Sequence, residues 1–292
     1  MNNVFKPIAA GLVLAATIIA MPSYTFALDE FGTSGVIPGI SFTGGDGSFD
    51  RAVNDGLVVA IGSDLPYTYQ DSSGQPAGLD VEIIKDAARR VGITKLKFEL
   101  MQFDSFIPSL VAKRVDIVAD NLHVNPERIK VIAFTGPSYF YGGAIAVQKG
   151  NPKKIKTWDD LAGKSVGYLR GGFWAPVIEK RKDLGSTQPY ATSAVQFADL
   201  ATGRVDAIMD DDTKIAAFIK ENPNLNIELA KVTIPASDQL GYARYAVRKE
   251  DLTLNAAFSR ALAEMRADGT IKKLLPIAGL PATNIFSYSL DE

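Results

Sequence analysis

The sequence predicts an α/β protein of two similar lobes, and three observations carry that prediction. The phrase "LVAKRVDIVAD" at 110–120 returns as "LATGRVDAIMD" at 200–210, each with Leu, three residues, Arg-Val-Asp, an apolar stretch and a closing Asp. Each phrase closes a cycle in which a short apolar run is followed by an amphipathic helix, the alternation of α/β folds. The 292 residues suffice for two domains of ordinary size, and 47% hydrophobic with 22% charged residues is a soluble globular composition.

The chain opens on a segment of a different kind. Lys6 and the amino terminus supply a weak positive region, residues 8–21 ("IAAGLVLAATIIAM") are almost wholly apolar, and "TFA" precedes Leu28. This is the pattern of a secretory signal over 1–27, cut after Ala27. A membrane anchor is the alternative, but the apolar run spans only about 21 Å at 1.5 Å per residue, short of a ~30 Å hydrocarbon core. The chain has no cysteine, which excludes disulfides, thiol catalysis, thiolate metal sites and a lipid tether on an N-terminal cysteine. An exported protein without that tether is expected in the Gram-negative periplasm. Residues 28–54 are rich in Gly, Ser and Asp without a sustained period and read as a flexible lead-in.

Regular structure is expected from Gly56. "LVVAIG" is a short buried strand, and in "VEIIKDAARRVGI" Ile84, Ala87, Ala88 and Val91 fall at helical spacing. "LKFEL" gives the next strand, "SFIPSLVAKR" a short helix, and "VDIVA" a strand ending at Asp120. A similar cycle begins with the strand "GKSVGYL", runs into Gly171-Gly172, and ends with the helix "AVQFADLATGR" feeding "VDAIM". After 240 come the strand "GYARYAVRK" and a helix whose Leu254, Phe258, Ala261, Leu262 and Met265 form one apolar stripe. This segment is expected to return to the first lobe. The organisation is then lobe 1 over 55–142 plus 243–286, lobe 2 over 143–242, and a tail over 287–292, with crossings near 141–146 and 239–245.

Ligands of open α/β sheets sit beyond the carboxyl ends of the strands. Asp120 and Asp210-Asp211 hold that place in their respective lobes, so two facing lobes put both carboxylate sets on one cleft. A net charge of −2 with scattered basic residues leaves no footprint for nucleic acid. Thr157 and Asp160 form a capping-box pattern that puts Trp158 at an outer helix start. Trp174, after the Gly171-Gly172 pair, is expected on the cleft wall.

In this order and spacing, "GLDVEI" at 78–83, "FIPSLVAKRVDIV", "NPERIKVIAFTGPSYF" at 125–140, "DDLAGKSVGYL" at 159–169, "GRVDA" at 203–207 and "LAEMRADGTIKKL" at 262–274 resemble the bacterial extracellular solute-binding proteins of family 3, the polar amino-acid-binding proteins of ABC importers. The resemblance runs from about Gly56 to Leu275. It implies a type II periplasmic binding protein: two lobes, joined by two hinge strands, that close over one small molecule and then dock on the permease subunits of the importer. A monomer without cofactor, metal or catalytic residues is expected.

The resemblance also implies roles. Arg128 matches the arginine that clamps a ligand α-carboxylate, a fit of two parallel donors to a planar acceptor. Asp211 matches the acid that holds the α-ammonium, with Asp210 or Asp212 serving if the register shifts. Tyr67 and Phe103 match two aromatic positions that sandwich the side chain, and Tyr69 rivals Tyr67. Asp64 stands where binders of basic amino acids carry an acid. The chain departs from the family in "ADNLHV", which brings Asp120, Asn121 and His123, and in "GGFW", where Gly172 and Phe173 replace hydroxyl donors. Unpaired carboxylates at Asp64, Asp120 and Asp211 would call for a cationic amino acid or derivative, because a buried charge needs a partner. The bland alternative is that Asp120 pairs with an internal Lys or Arg. Rival functions are capture of an ectoine-like compatible solute, or a dehydratase-type enzyme using buried carboxylates and His123.

Overall fold

The computed structural model describes residues 42–234 and 241–285. The signal expected over 1–27, the first part of the lead-in and the tail over 287–292 lie outside the described residues. The first lobe is built from α1 (Ser48–Asp55), β1 (Leu57–Ile61), a small hairpin of β2 (Tyr69–Gln70) and β3 (Pro76–Ala77), α2 (Leu79–Arg90), β4 (Leu96–Leu100), α3 (Phe106–Val111), β5 (Ile117–Leu122), α4 (Arg128–Val131) and β6 (Ile132–Phe134). The second contains β7 (Gly143–Val147), β8 (Ser165–Leu169), α5 (Ala175–Lys180), β9 (Ser186–Tyr190), α6 (Ser193–Ala201), β10 (Ala207–Asp211), α7 (Asp212–Glu221) and β11 (Glu228–Leu229). The chain then returns through β12 (Arg244–Arg248), α8 (Leu252–Ala267) and α9 (Thr270–Leu274).

Each lobe holds one five-stranded sheet, ordered β4-β1-β5-β12-β6 in the first and β11-β7-β10-β8-β9 in the second. β12 inserts antiparallel between β5 and β6, so the C-terminal segment completes the first sheet as expected. β5 and β10 are buried along their whole length, the condition under which a strand reads as a continuous apolar run. Between lobes the crossings run side by side: Tyr141 N donates to Gly241 O at 3.3 Å and Ala243 N to Tyr139 O at 2.8 Å.

The repeated phrase is α3, turn and β5 in one lobe and α6, turn and β10 in the other. Both turns need one left-handed residue. Gly203 takes it at φ 75° without cost, whereas Lys113 at the equivalent place takes φ 60° against its own Cβ. In both, the next amide reaches back to the helix: Arg114 N to Ser109 O at 3.0 Å, and Arg204 N to Asp199 O at 2.9 Å.

One expectation is corrected here. Residues 42–54 belong to the fold: Phe49 and Ala52 of α1 are buried, and Asp46 accepts from Ser48 N at 2.8 Å and from Thr253 N at 2.9 Å. The apolar face of α1 finds its partner only on α8, some 200 residues away in sequence, so no local period announces it. The apolar stripe of α8 is fully buried, as its spacing predicts. Thr157 and Asp160 exchange hydrogen bonds at the short 3₁₀ turn Asp159–Leu161, with Thr157 N to Asp160 Oδ2 at 2.8 Å and Asp160 N to Thr157 Oγ1 at 3.3 Å.

Candidate functional site

The strand ends of the two sheets meet around a cavity of ≈ 30 Å³. From the first lobe, Asn121 at the end of β5, His123 just beyond it, Arg128 at the start of α4 and Phe103 face it. The second lobe supplies Leu169 and Gly172 to Trp174 after β8, Met209 to Asp211 on β10, and Lys214 in the first turn of α7. Tyr141, on a crossing segment, completes the lining.

Arg128 is 5% exposed, and its guanidinium donates to His123 O and, across the lobes, to Gly171 O, both at 2.9 Å. No carboxylate pairs with it among the described residues. Burial pushes it down to about 10, so it stays charged at neutral pH, with two carbonyl dipoles and the Phe103 ring, 5.5 Å from the guanidinium carbon, as partners. A planar anion in the cavity would supply the missing counter-charge.

Asp211 faces the cavity from the other lobe. Its Oδ2 accepts from Asn121 Nδ2 at 2.9 Å, and the Lys214 ammonium is 4.0 Å away. Burial pushes this carboxyl well above the usual range, against the pull of Lys214. Lys214 lies closer to two other acids, 2.9 Å from Asp64 and 3.0 Å from Asp210. Ser193 Oγ also donates to Asp64 at 3.0 Å. Of the aspartate run, Asp210 and Asp211 both line the cavity, while Asp212 accepts from Thr213 N at 2.6 Å at the helix start.

Asn121 is held in a left-handed conformation at φ 35°, which Asn tolerates better than most residues. Its amide donates to Asp80 Oδ2 at 2.6 Å, and its carbonyl accepts from the Tyr141 hydroxyl. Asp80 also accepts from Tyr139 and Tyr245 hydroxyls at 3.0 and 2.9 Å, yet burial pushes it up to about 7. Sequence reasoning assigned no role to Asp80. An acid at the helical spacing of the apolar residues Ile84, Ala87 and Val91, inside "GLDVEI", was its only signal.

His123 packs on Tyr141 at a tilt of 40° with centroids 4.3 Å apart and meets Phe173 edge-on at 5.4 Å. Burial, then Arg128 and Arg244, push its imidazole well below the usual range, so it is neutral. The Trp174 ring lies directly on Gly143, where a Cβ would come within 1.9 Å of Cζ2. Only glycine permits that approach.

Three expected site residues fall elsewhere. Tyr67 is wholly buried in the first lobe against Tyr139 and Tyr141, with centroids 6.2 and 5.5 Å away, because the tight turn at 64–68 folds it inward. Tyr69, its rival, sits on β2 away from the cavity. Asp120 lies behind Asn121, since alternate residues of β5 point to opposite faces; its Oδ1 accepts from Thr68 Oγ1 at 2.7 Å, not from a Lys or Arg. Asp64 sits behind Lys214. Phe103, Asn121, His123, Arg128, Gly172, Phe173 and Asp211 are brought together around the cavity, with Tyr141, Trp174, Asp210 and Lys214 beside them. The unpaired acidic cleft is thereby replaced by one with its own internal cation.

The profile of the bacterial extracellular solute-binding proteins, family 3, matches residues 57–276. The chain is 31% identical over 219 residues to a probable amino-acid ABC transporter-binding protein of Haemophilus influenzae, covering 75% of this chain and 82% of that one. It is 31% identical over 224 residues to the lysine/arginine/ornithine-binding periplasmic protein of Escherichia coli, covering 74% and 85%. Among solved structures, holo ArgBP from T. maritima superposes with a TM-score of 0.68 at 30% identity, covering 77% of this chain and 98% of that one.

Proposed function

The chain belongs to the bacterial extracellular solute-binding proteins, family 3, and from that premise we propose that it is the periplasmic solute-binding component of an ABC importer, taking a polar α-amino acid between its lobes and delivering it to the permease. The observation that carries this reading is the buried, carboxylate-free Arg128 facing the cavity opposite Asp211. The first suits an α-carboxylate through parallel charge-assisted bonds, the second an α-ammonium. Because each group belongs to a different lobe, a ligand that satisfies both draws the lobes together, the hinge closure of two-lobed binders. The names of the two relatives, one an amino-acid ABC transporter-binding protein and one an amino-acid-binding periplasmic protein, support the same reading.

Thermal unfolding against a panel of amino acids and compatible solutes tests it. A ligand at 100 times its Kd adds ~2.7 kcal/mol to the folded state. Stabilisation by at least one α-amino acid, but not by its decarboxylated or deaminated analogue, is the expected result. Stabilisation by ectoine and by no amino acid would overturn the reading.

A further inference from the structure

Beyond Arg128 and Asp211, the cavity has buried polar atoms without partners. His123 and Trp174 are 5% and 4% exposed, both line the cavity, and His123 Nε2 and Trp174 Nε1 lack a hydrogen-bond partner. Gly241 N donates to His123 Nδ1 at 3.5 Å, and the ring is neutral, so the network assigns its one proton to Nε2. An indole N–H can only donate. Two buried donors on cavity-lining residues are therefore left without acceptors. One acceptor is also unmatched: Asp210 Oδ2, on a residue 3% exposed that lines the same cavity.

The site's acids are already answered by a cation of the chain itself. Lys214 holds Asp64 and Asp210 at 2.9 and 3.0 Å and itself lines the cavity. A guanidinium or ammonium side chain would bring only donors to His123 and Trp174 and a like charge to Lys214. A carboxylate side chain would meet Asp210. A hydrocarbon side chain would leave both donors and the free Asp210 oxygen unsatisfied and dry, which is costly.

We propose that the side chain of the ligand is uncharged and ends in a carboxamide, its oxygen taken by His123 Nε2 and Trp174 Nε1 and its amide N–H by Asp210, with Lys214 excluding cationic side chains. The proposal rests on the amino-acid reading of Arg128 and Asp211 and names the side-chain class that goes with it.

Calorimetry of the wild type with L-glutamine, L-asparagine, L-arginine, L-glutamate and L-norleucine tests it. One of the two carboxamides should bind more than about tenfold tighter than the other three, since a site built to hydrogen-bond rejects analogues that lack the partner. Trp174→Phe and His123→Phe keep a ring in place and remove the donor. Each should weaken the carboxamide by about tenfold or more and leave norleucine within about twofold. Arginine or norleucine binding as tightly as the better carboxamide overturns the proposal while amino-acid capture stands, and so do variants that weaken all ligands alike. A folded wild type that binds no α-amino acid overturns both. The wild-type ranking needs no variant, so a variant that fails to fold leaves the test intact.

Discussion

The ammonium of Lys214, on the second lobe, is buried 2.9 Å from the carboxylate of Asp64, on the first. With Asp210 at 3.0 Å it forms a cluster of one cation and two close anions at the junction of the lobes. Such a cluster is weak evidence for net stability, because desolvation offsets much of the attraction, but breaking it is expensive.

Lys214→Met should therefore destabilise the protein by ~3–5 kcal/mol at pH 8, as it strands two buried carboxylates. The loss should be smaller at pH 5, because burial pushes the Asp210 carboxyl up and favours its protonation. Adding Asp64→Asn to Lys214→Met should restore part of the stability. Urea denaturation of the wild type, the single variant and the double variant at both pH values measures this, and a pH-independent loss without recovery would show that Lys214 matters for packing alone.

Arg128→Ala should abolish measurable ligand binding while leaving a native circular-dichroism spectrum. The guanidinium belongs to the cavity wall and not to the apolar core of either sheet. Removing one side of a buried charge pair costs ~2–5 kcal/mol of binding. Wild-type affinity in calorimetry would take Arg128 out of the site.

Gly143→Ala should displace the Trp174 indole, since the new methyl would lie 1.9 Å from Cζ2 of a buried ring. Overpacking of this kind costs ~1–3 kcal/mol. Ligand affinity should fall with it, and the tryptophan emission should shift. In a Trp174→Ala background the same substitution should be nearly neutral, a non-additivity expected of residues in contact. Additive losses would mean that the strand, not the ring, resents the methyl group.

The Asp80 carboxyl is held up at about 7 by burial, far above its value in the unfolded chain. The native state thus keeps a proton that the unfolded state has released by about pH 5. Stability contributed at this site is present below about pH 4 and is lost as pH rises towards 7, at ~1.4 kcal/mol per pH unit at most. Relative to Asp80→Asn, which does not titrate, the wild type should lose stability between pH 4 and 7 and run parallel above pH 7.5. Parallel curves throughout would mean that the carboxyl is ionised in the native protein.

Much of this architecture was legible in the sequence because it rests on local pattern. The doubled phrase, the helical spacing of Ile84, Ala87, Ala88 and Val91, and the stripe of α8 each report a buried face within one element. Asp211 was placed for the same reason, at the end of a strand that the pattern reveals, whereas Arg128 was singled out only by the family resemblance of "NPER". Trp174 was placed on the cleft wall by its position after a strand and a glycine pair.

What the sequence by itself determined, then, is which segments form elements, that they form two equivalent lobes, and which strand ends face each other. Tertiary structure alone decided which side chains at those ends are exposed to the cavity. Asp120 and Asn121 are neighbours in sequence, yet the pleat of β5 sends one behind the wall and the other into it. Tyr67 is drawn inward by a turn whose partners are its own backbone. The sequence assigned no role to Lys214; only the approach of the two lobes brings Asp64 within 2.9 Å of it, so that this expected ligand carboxylate is paired inside the protein. Charge pairing across distant segments has no period, so no window of sequence contains it.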